Sequence, residues 1–250
     1  MSIDERIKYL EMKERHKKKL RPWYKKPWGI IIIILLLGLI AAVSASAFYV
    51  ANKVQEIRKG QSAEQQAAEI QKITAAIDGR GENYSLGPID AKVKIVIFSD
   101  YACPYCRQAA TVVRNLAKKY GNQIRITFRD YPLHDNSVDL ALAVNCAGSQ
   151  NKFWEMNELL FNNQDTLSSL QGPELNLKLK ELANSLGLNA DNFASCLDNK
   201  TYLYRLNDDF SDAELLGLSG TPTWFINRYK ITGFYPEENF IGIIDGLLAQ

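Results

Sequence analysis

A stretch of 23 residues without a charged side chain, Trp28 to Val50, limits more than any other feature what this chain can fold into. At 1.5 Å per residue a helix of that length rises roughly 34 Å, which covers the hydrocarbon thickness of a bilayer. The stretch therefore predicts a transmembrane helix over residues 28–50. The remaining chain after it is long enough to bury one good core.

Basic residues concentrate before this stretch. Residues 1–27 carry ten of the thirty lysines and arginines, six of them close to the apolar run: Lys17, Lys18, Lys19, Arg21, Lys25 and Lys26. Positive charge is retained on the cytoplasmic side during insertion, so we expect a cytoplasmic N-terminus, a single pass through the cell membrane and an extracytoplasmic domain. Trp23, Tyr24 and Trp28 fit the interfacial aromatic belt. Beyond residue 27 acidic residues outnumber basic ones, and nothing indicates nucleic-acid binding.

A cleaved signal peptide is the alternative to a membrane anchor. Ala45-Ser46-Ala47 has the small-x-small form that signal peptidase accepts, which leaves cleavage after Ala47 open. The 27-residue start and the long apolar run favour an uncleaved signal anchor. In both cases the rest of the chain works outside the cytoplasm.

The chain after the anchor divides into a stalk and a folded domain. Stalk and linker are predicted over residues 51–83. Residues 52–78 are rich in Gln, Ala, Glu and Lys with sparse apolar positions at near-helical spacing, which predicts a polar helical stalk, and the turn-rich run GRGENYSLGP at residues 79–88 leads into the domain. A spacer role is favoured; a dimerising coil is the alternative. The domain is predicted over residues 84–250.

The folded domain begins with a strand, a helix and a second strand, predicted at Val93–Ser99, Cys103–Lys119 and Ile124–Arg129. Within about 40 residues this order is a βαβ unit, normally parallel. A helical section at about residues 134–218 follows. The sheet resumes with a predicted hairpin at residues 223–227 and 229–232, and a helix closes the chain at residues 236–248. The pattern indicates an α/β domain with a helical insertion.

Two cysteines stand where the helix of the βαβ unit begins. A cysteine attacks as thiolate, and the unpaired N–H groups of a first helical turn stabilise that negative sulfur at Cys103. Pro104 suits the first helical position, since its missing N–H has no partner there. Together with Tyr105 it forms the dipeptide between the cysteines. Cys106, one turn further in, can resolve a mixed disulfide on Cys103.

A metal site and a purely structural disulfide are the alternatives to a redox pair. Zinc needs two further ligands, and the candidates are Cys146, Cys196, His134 and His16, none of them in a second closely spaced pair. The strand before and the helix after the two cysteines favour the redox pair. We expect no metal and no organic cofactor.

Gly220-Thr221-Pro222-Thr223 lies where a strand must start after the helical section. Proline is tolerated at a strand entrance, and the X-Pro bond is the one where the cis form costs little. After a CxxC βαβ unit we predict a cis bond at Pro222. The Thr221 backbone would then face the cysteines and could pair with an extended substrate chain.

Five segments carry a resemblance to a known family: KIVIFSDYACPYCRQ, FRDYPL, CAGSQNKFWEMNELLF, LGLNADNFASCLDNKTY and LGLSGTPTWFIN. Together they resemble the DsbA-type thiol:disulfide oxidoreductases, in the membrane-anchored subgroup common in bacteria, from about Tyr84 to the C-terminus. The resemblance implies a thioredoxin fold with a helical insertion, Cys103 as nucleophile, Cys106 as resolving thiol and a cis Pro222 facing them.

The resemblance also bears on the other two cysteines. In several members of this subgroup a cysteine after the FRDYPL-like segment pairs with one in the segment that resembles FASCLD, which implies a structural disulfide between Cys146 and Cys196. An even number of cysteines in an oxidising compartment agrees with this. Two unpaired buried thiols or a second redox centre are the alternatives.

Two positions depart from the family pattern. Many relatives carry Glu where this chain has Ile97, and a buried acid there can move the proton of the resolving thiol. Because this chain lacks that acid, its sequence does not identify the group that moves the proton of Cys106. The best-known strong oxidant has His where this chain has Tyr105. A histidine adds positive charge near the thiolate and tyrosine does not, so we expect the pKa of Cys103 to be lowered less strongly.

Six other residues near the motifs have less specific predictions. We expect Asp100 and Tyr101 to shape the site, with a solvated turn as the alternative for Asp100. His134 is interpreted as a helix-entry residue rather than a base. Arg129 is predicted at the surface, and Trp224 and Phe225 in the core.

The sequence thus predicts an extracytoplasmic thiol:disulfide oxidoreductase that exchanges disulfides with thiol-containing exported proteins, in the oxidising direction. A quinone-linked membrane partner would re-oxidise it. A reductase or isomerase of the same fold is the first alternative, and a non-enzymatic anchored binding or assembly factor is the second.

Overall fold

The structure is a computed structural model that describes residues 2–16, 26–79 and 83–250. The chain divides into two compact units, Met1–Ala67 and Ala68–Gln250. The basic cluster at residues 17–25 and the aromatic pair Trp23 and Tyr24 lie outside the described residues, as do residues 80–82 of the predicted linker.

Two helices form most of the N-terminal part. Helix α1 spans Ile3–His16 and helix α2 spans Pro27–Asp78. The segment Pro27–Ile57 of α2 has a mean hydropathy of 2.9 over its most apolar window, none of it buried within the protein. By length and composition it can cross a membrane, since about 20 apolar residues are needed.

A five-stranded mixed sheet forms the centre of the second unit. Its strands are β1 (Ser85–Leu86), β2 (Val93–Ser99), β3 (Ile124–Asp130), β4 (Thr223–Ile226) and β5 (Tyr229–Thr232). The spatial order is β1-β3-β2-β4-β5, in which only the pair of β2 and β3 is parallel. The central strands are buried on both faces, which explains their near-continuous β-branched and apolar sequences.

Helix α3 (Pro104–Tyr120) makes the crossover between β2 and β3. Its buried positions follow helical spacing and pack on the sheet. Gly121 ends the helix with a φ of 52°, and its N–H donates to the carbonyl of Ala117. Left-handed backbone of this kind favours glycine, so the predicted end of the helix is confirmed.

The helical insertion lies between β3 and β4. It contains α4 (Ser137–Gly148), α5 (Phe153–Asn162), α6 (Gln164–Leu167), α7 (Gly172–Ser185), α8 (Ala190–Asp198) and α9 (Leu203–Leu215), and the chain closes with α10 (Glu237–Leu248). A disulfide joins Cys146 in α4 to Cys196 in α8 across 50 residues of sequence, the pairing that the resemblance implies.

The core forms where the sheet meets α3, α10 and the insertion. Trp224 is fully buried and its ring lies 4.6 Å from that of Phe240 in α10. Phe225 is buried on the other face of the sheet, against Phe98. The prediction that Trp224 and Phe225 are core residues is therefore confirmed.

Arg129 is buried, so the prediction of a surface residue is wrong. Its Nε and Nη2 atoms donate to Asp209 at 2.5 Å and Asp212 at 2.8 Å, and its Nη1 donates to the carbonyl of Ala76 at 2.9 Å. The guanidinium also lies over the ring of Phe98. An arginine can be buried when every donor finds a partner, and here its carboxylate partners come from α9, some 80 residues away.

The segment before β2 differs from the sequence prediction in two ways. The predicted linker contains the short edge strand β1, which pairs Ser85 with Thr127. The end of the predicted stalk belongs to the compact unit Ala68–Gln250, in which Ala76 and Ile77 are buried. Period-2 alternation is not visible in a two-residue strand, which is why the sequence did not indicate it.

Candidate redox site

Cys103 is the N-cap of α3. Its backbone is extended, with φ −79° and ψ 123°, and its carbonyl accepts hydrogen bonds from the N–H groups of Cys106 and Arg107 at 3.0 and 3.3 Å. Pro104 occupies the first helical position. The Cys103 sulfur therefore lies at the positive, N-terminal end of the helix, while Cys106 is fully buried one turn further along.

The loop before β4 faces Cys103. The Thr221-Pro222 peptide bond is cis, as the sequence predicts. The Cys103 thiol donates to the carbonyl oxygen of Thr221 at 3.3 Å, although 118 residues separate them. The Thr223 hydroxyl donates to the Gly220 carbonyl at 2.7 Å and orders the loop. The structure thus brings Thr221 and Pro222 next to the cysteines.

The pKa values of the two thiols are shifted in opposite directions. A hydrogen bond from the Cys106 side chain is the main reason that the pKa of Cys103 is lowered to about 5. Partial burial opposes the shift, and hydrogen bonds from the Thr221 side chain and from the backbone of Cys106 and Tyr105 add to it. Burial, followed by the bond with Cys103, raises the pKa of Cys106 well above its usual range. In the reduced site the charge is therefore held on Cys103.

Asp100 is buried beneath the site, which excludes the solvated turn considered from sequence. Its backbone N–H donates to the Cys106 sulfur at 3.4 Å, and its carbonyl accepts from the Cys103 N–H at 3.1 Å. Its carboxylate accepts from the Ala102 N–H at 2.8 Å and from the hydroxyl of Ser137. Asp100 therefore ties the turn that carries both cysteines to the start of the helical insertion.

His134 shares that carboxylate. Its Nδ1 atom lies 2.7 Å from Asp100 Oδ2, which also accepts from the Leu133 N–H at 2.7 Å. The His134 carbonyl accepts from the N–H of Ser137, the first residue of α4. His134 is thus at a helix entry, as predicted, with its side chain turned towards the residue beneath the cysteines.

Gln164 is a supporting residue that the sequence analysis missed. Its Nε2 atom donates to the carbonyls of Tyr101 at 2.7 Å and Cys103 at 2.9 Å, and it is buried. The Tyr101 hydroxyl accepts from Asn157 at 2.9 Å. Both partners come from the insertion. A polar residue just after the Asn162-Asn163 break was the only available signal, and it does not identify a partner 60 residues upstream.

Ile97 stands at the position where the resemblance leads us to expect a Glu in many members of the family. It is buried in β2 and pairs with Trp224 in β4. No carboxylate is present at that point, so a proton leaving Cys106 needs another path.

Among the described residues, no group of three or more His, Cys, Asp or Glu side chains is arranged to hold a metal ion.

A family profile described as thioredoxin matches residues 80–246, which is two thirds of the chain. The chain belongs to the thioredoxin family. The match begins before β1 and ends within α10, so this thioredoxin domain includes the whole helical insertion.

Solved structures give the same fold. The oxidised BdbD of Bacillus subtilis superposes with a TM-score of 0.61 at 24% identity, covering 67% of this chain and 94% of BdbD. The thiol-disulfide exchange protein α-DsbA2 of Wolbachia pipientis gives 0.62 at 18% identity, covering 72% and 94%. The predicted thioredoxin fold with a helical insertion is therefore confirmed, and the protein named α-DsbA2 shares it.

Curated relatives are larger proteins. A Na⁺/H⁺ antiporter NhaA 1 of Salinispora arenicola is 34% identical over 166 residues, which is 65% of this chain and 24% of the antiporter. The chain spans about a quarter of the length of the curated relatives it matches. A match over that share gives no basis for assigning ion transport to this thioredoxin-family chain.

Proposed function

We propose that this protein is a membrane-anchored thiol:disulfide oxidoreductase that oxidises thiols of exported proteins with the disulfide of Cys103 and Cys106. The observation that carries the proposal is the opposite pKa shift of two thiols one helical turn apart, at a helix start that faces Thr221. One thiol suited to attack and to leave, and one shielded thiol, are what disulfide exchange requires.

The proposed reaction uses the two sulfurs in sequence. A substrate thiolate attacks Cys103 of the disulfide, and Cys106 leaves and takes up a proton. The second substrate thiol then attacks the substrate sulfur of the mixed disulfide and releases the Cys103 thiolate. The substrate loses two electrons and two protons, and the site gains both electrons. The low pKa of Cys103 makes it a good leaving group in the second step.

The stabilised thiolate favours the oxidising direction. Whatever stabilises the reduced form raises the reduction potential of the pair, which then gives up its disulfide more readily. A reductase would need a less stabilised thiolate. Because each turnover leaves the site reduced, an oxidant must restore the disulfide, and we propose a quinone-linked membrane protein for this step.

The surface around Cys103 suits an extended substrate chain. The Thr221 backbone lies against the Cys103 sulfur, and the side chains of Tyr105 and Leu133 are exposed beside the site, by 58% and 46%. Backbone pairing at Thr221, with apolar contacts to Tyr105 and Leu133, would accept many sequences. The apolar part of α2 would keep the site at the extracytoplasmic face of the membrane, where exported chains emerge.

Two isosteric substitutions in the full chain test the proposal. Cys103→Ser should abolish exchange with a disulfide-bonded probe peptide. Cys106→Ser should instead accumulate a mixed disulfide between Cys103 and the peptide, detected as a mass increase that dithiothreitol removes. Replacing both Cys146 and Cys196 with alanine is the control and should leave exchange intact. If the Cys103→Ser variant still exchanges disulfides, the proposal is wrong.

A further inference from the structure

We propose that His134 and Asp100 form a proton-linked pair that stabilises the Cys103 thiolate in the reduced site and takes up a proton when the disulfide is reduced. The inference rests on the proposed exchange function and adds a residue to it. His134 is a positioning residue: its charge stabilises the Cys103 thiolate, and it does not contact the substrate.

The geometry links His134 to both cysteines through one buried residue. The Asp100 carboxylate binds Nδ1 of His134, while its main-chain N–H and C=O bind the Cys106 sulfur and the Cys103 N–H. Asp100 Oδ1 is already occupied by Ala102 and Ser137, and Oδ2 accepts from Leu133 as well as from the imidazole. The imidazole is therefore fixed, whereas half of its side chain remains exposed to water and can exchange protons.

The charges around His134 favour its protonated form. The hydrogen bond to Asp100 is the largest cause of its raised pKa; partial burial opposes it, and the negative charges of Asp100, Cys103 and Asp135 add to the increase. Coupling between two titrating groups is reciprocal. Because the Cys103 thiolate raises the pKa of His134, protonated His134 must lower the pKa of Cys103 by the same free energy.

Protonated His134 supplies a positive charge that the active-site dipeptide lacks, and the Asp100 carboxylate holds its imidazole in place. Tyr105 carries no charge there, and Ile97 provides no acid near Cys106. His134 comes from the entry to the insertion and reaches the site from outside the CxxC helix. Its contribution is added to the bonds from Cys106, Thr221 and the backbone, which make the larger part of the shift at Cys103.

The protons balance in one turnover. A substrate dithiol gives up two electrons and two protons as its disulfide forms. Both electrons reduce the disulfide of the site, one proton protonates Cys106, and the second protonates His134 at a pH between the two pKa values of its imidazole. Re-oxidation removes the thiolate charge, so the pKa of His134 falls and the proton is released to water.

The direct test is the pKa of His134 in both redox states of the full chain. The chain contains only two histidines, so His16→Gln leaves one imidazole, which ¹³C-histidine labelling reports by NMR in detergent micelles. The expected pKa is higher in the reduced than in the oxidised protein. Reduced Cys103→Ser protein, which has no thiolate at this position, should match the oxidised form. Equal pKa values in all three would overturn the inference.

A second measurement reports the pH dependence of the reactivity of the Cys103 sulfur. In His134→Gln, whose amide can still bind Asp100, the pH profile of Cys103 alkylation should move to higher pH, and the permanent cation of His134→Lys should move it back. His16→Gln is the matched control. An unchanged profile in His134→Gln contradicts the inference. If wild-type protein exchanges disulfides but both tests fail, only the inference falls; if it exchanges none, the proposed function falls while the titrations can still be read.

Discussion

Arg129 shows how much a single buried charge depends on partners from distant parts of the chain. Its donors reach two carboxylates of α9 and the last carbonyls of α2. None of these partners is near it in sequence. Removing the guanidinium would leave the Asp209 carboxylate buried without its main counter-charge.

We therefore expect Arg129→Met to lower the free energy of unfolding by about 3–5 kcal/mol, the usual cost of breaking a buried ion pair from one side. Arg114→Met is the matched control, since Arg114 pairs with Glu158 at 2.8 Å on the surface, and it should cost less than about 1 kcal/mol. Urea unfolding followed by circular dichroism measures both. Similar losses would contradict the proposed importance of the buried pair.

Asp130 predicts a pH dependence of stability. Burial, followed by the charge of Asp209, raises its pKa from 3.8 to about 8. Between these values the folded protein holds a proton that the unfolded chain has lost, so the free energy of unfolding falls as pH rises from about 4 to about 8. Asp130→Asn should flatten this decline. An identical pH profile in the variant would show that Asp130 is ionised throughout.

Only some residues of the candidate site could be predicted from the sequence. A helix start locates Cys103 and Cys106, and a strand start locates Thr221 and Pro222. Gln164 and the burial of Arg129 could not be predicted, because their partners lie 60 to 80 residues away and only the folded chain brings them together.

The elements of the domain were predictable where their pattern is long. The bounds of β2 and the hairpin of β4 and β5 agree with expectation to within a residue, since buried strands and turns carry strong local signals. The two-residue strand β1 was missed. It depends on pairing with the edge of β3, a tertiary contact without a sequence period of its own.

The disulfide between α4 and α8 is expected to contribute to stability and not to exchange. It closes a loop of 50 residues, so replacing Cys146 and Cys196 with alanine should lower the free energy of unfolding by about 2–5 kcal/mol. Exchange by Cys103 should persist, because the site does not use these sulfurs. Parallel unfolding and exchange assays measure both effects. Loss of exchange in folded protein would contradict a purely structural role.

For the whole molecule, the apolar segment of α2 is expected to hold the domain at a membrane. Leu36→Lys combined with Leu39→Lys should prevent integration, since each charge near the centre of a span costs roughly 2.5–3.5 kcal/mol. Leu36→Ala with Leu39→Ala is the control and should remain in the alkaline-washed membrane pellet. If the lysine variant also remains there, the segment is not the anchor.

The reduction potential of Cys103 and Cys106 tests the central claim most directly. The full chain is equilibrated in a glutathione buffer poised at about −200 mV, between the values of about −120 mV for a strong oxidase and −270 mV for thioredoxin. Acid quenching and alkylation then count the reduced thiols by mass. The stabilised Cys103 thiolate predicts that the pair is mainly in the dithiol form. A pair that is mainly disulfide in this buffer would contradict an oxidase.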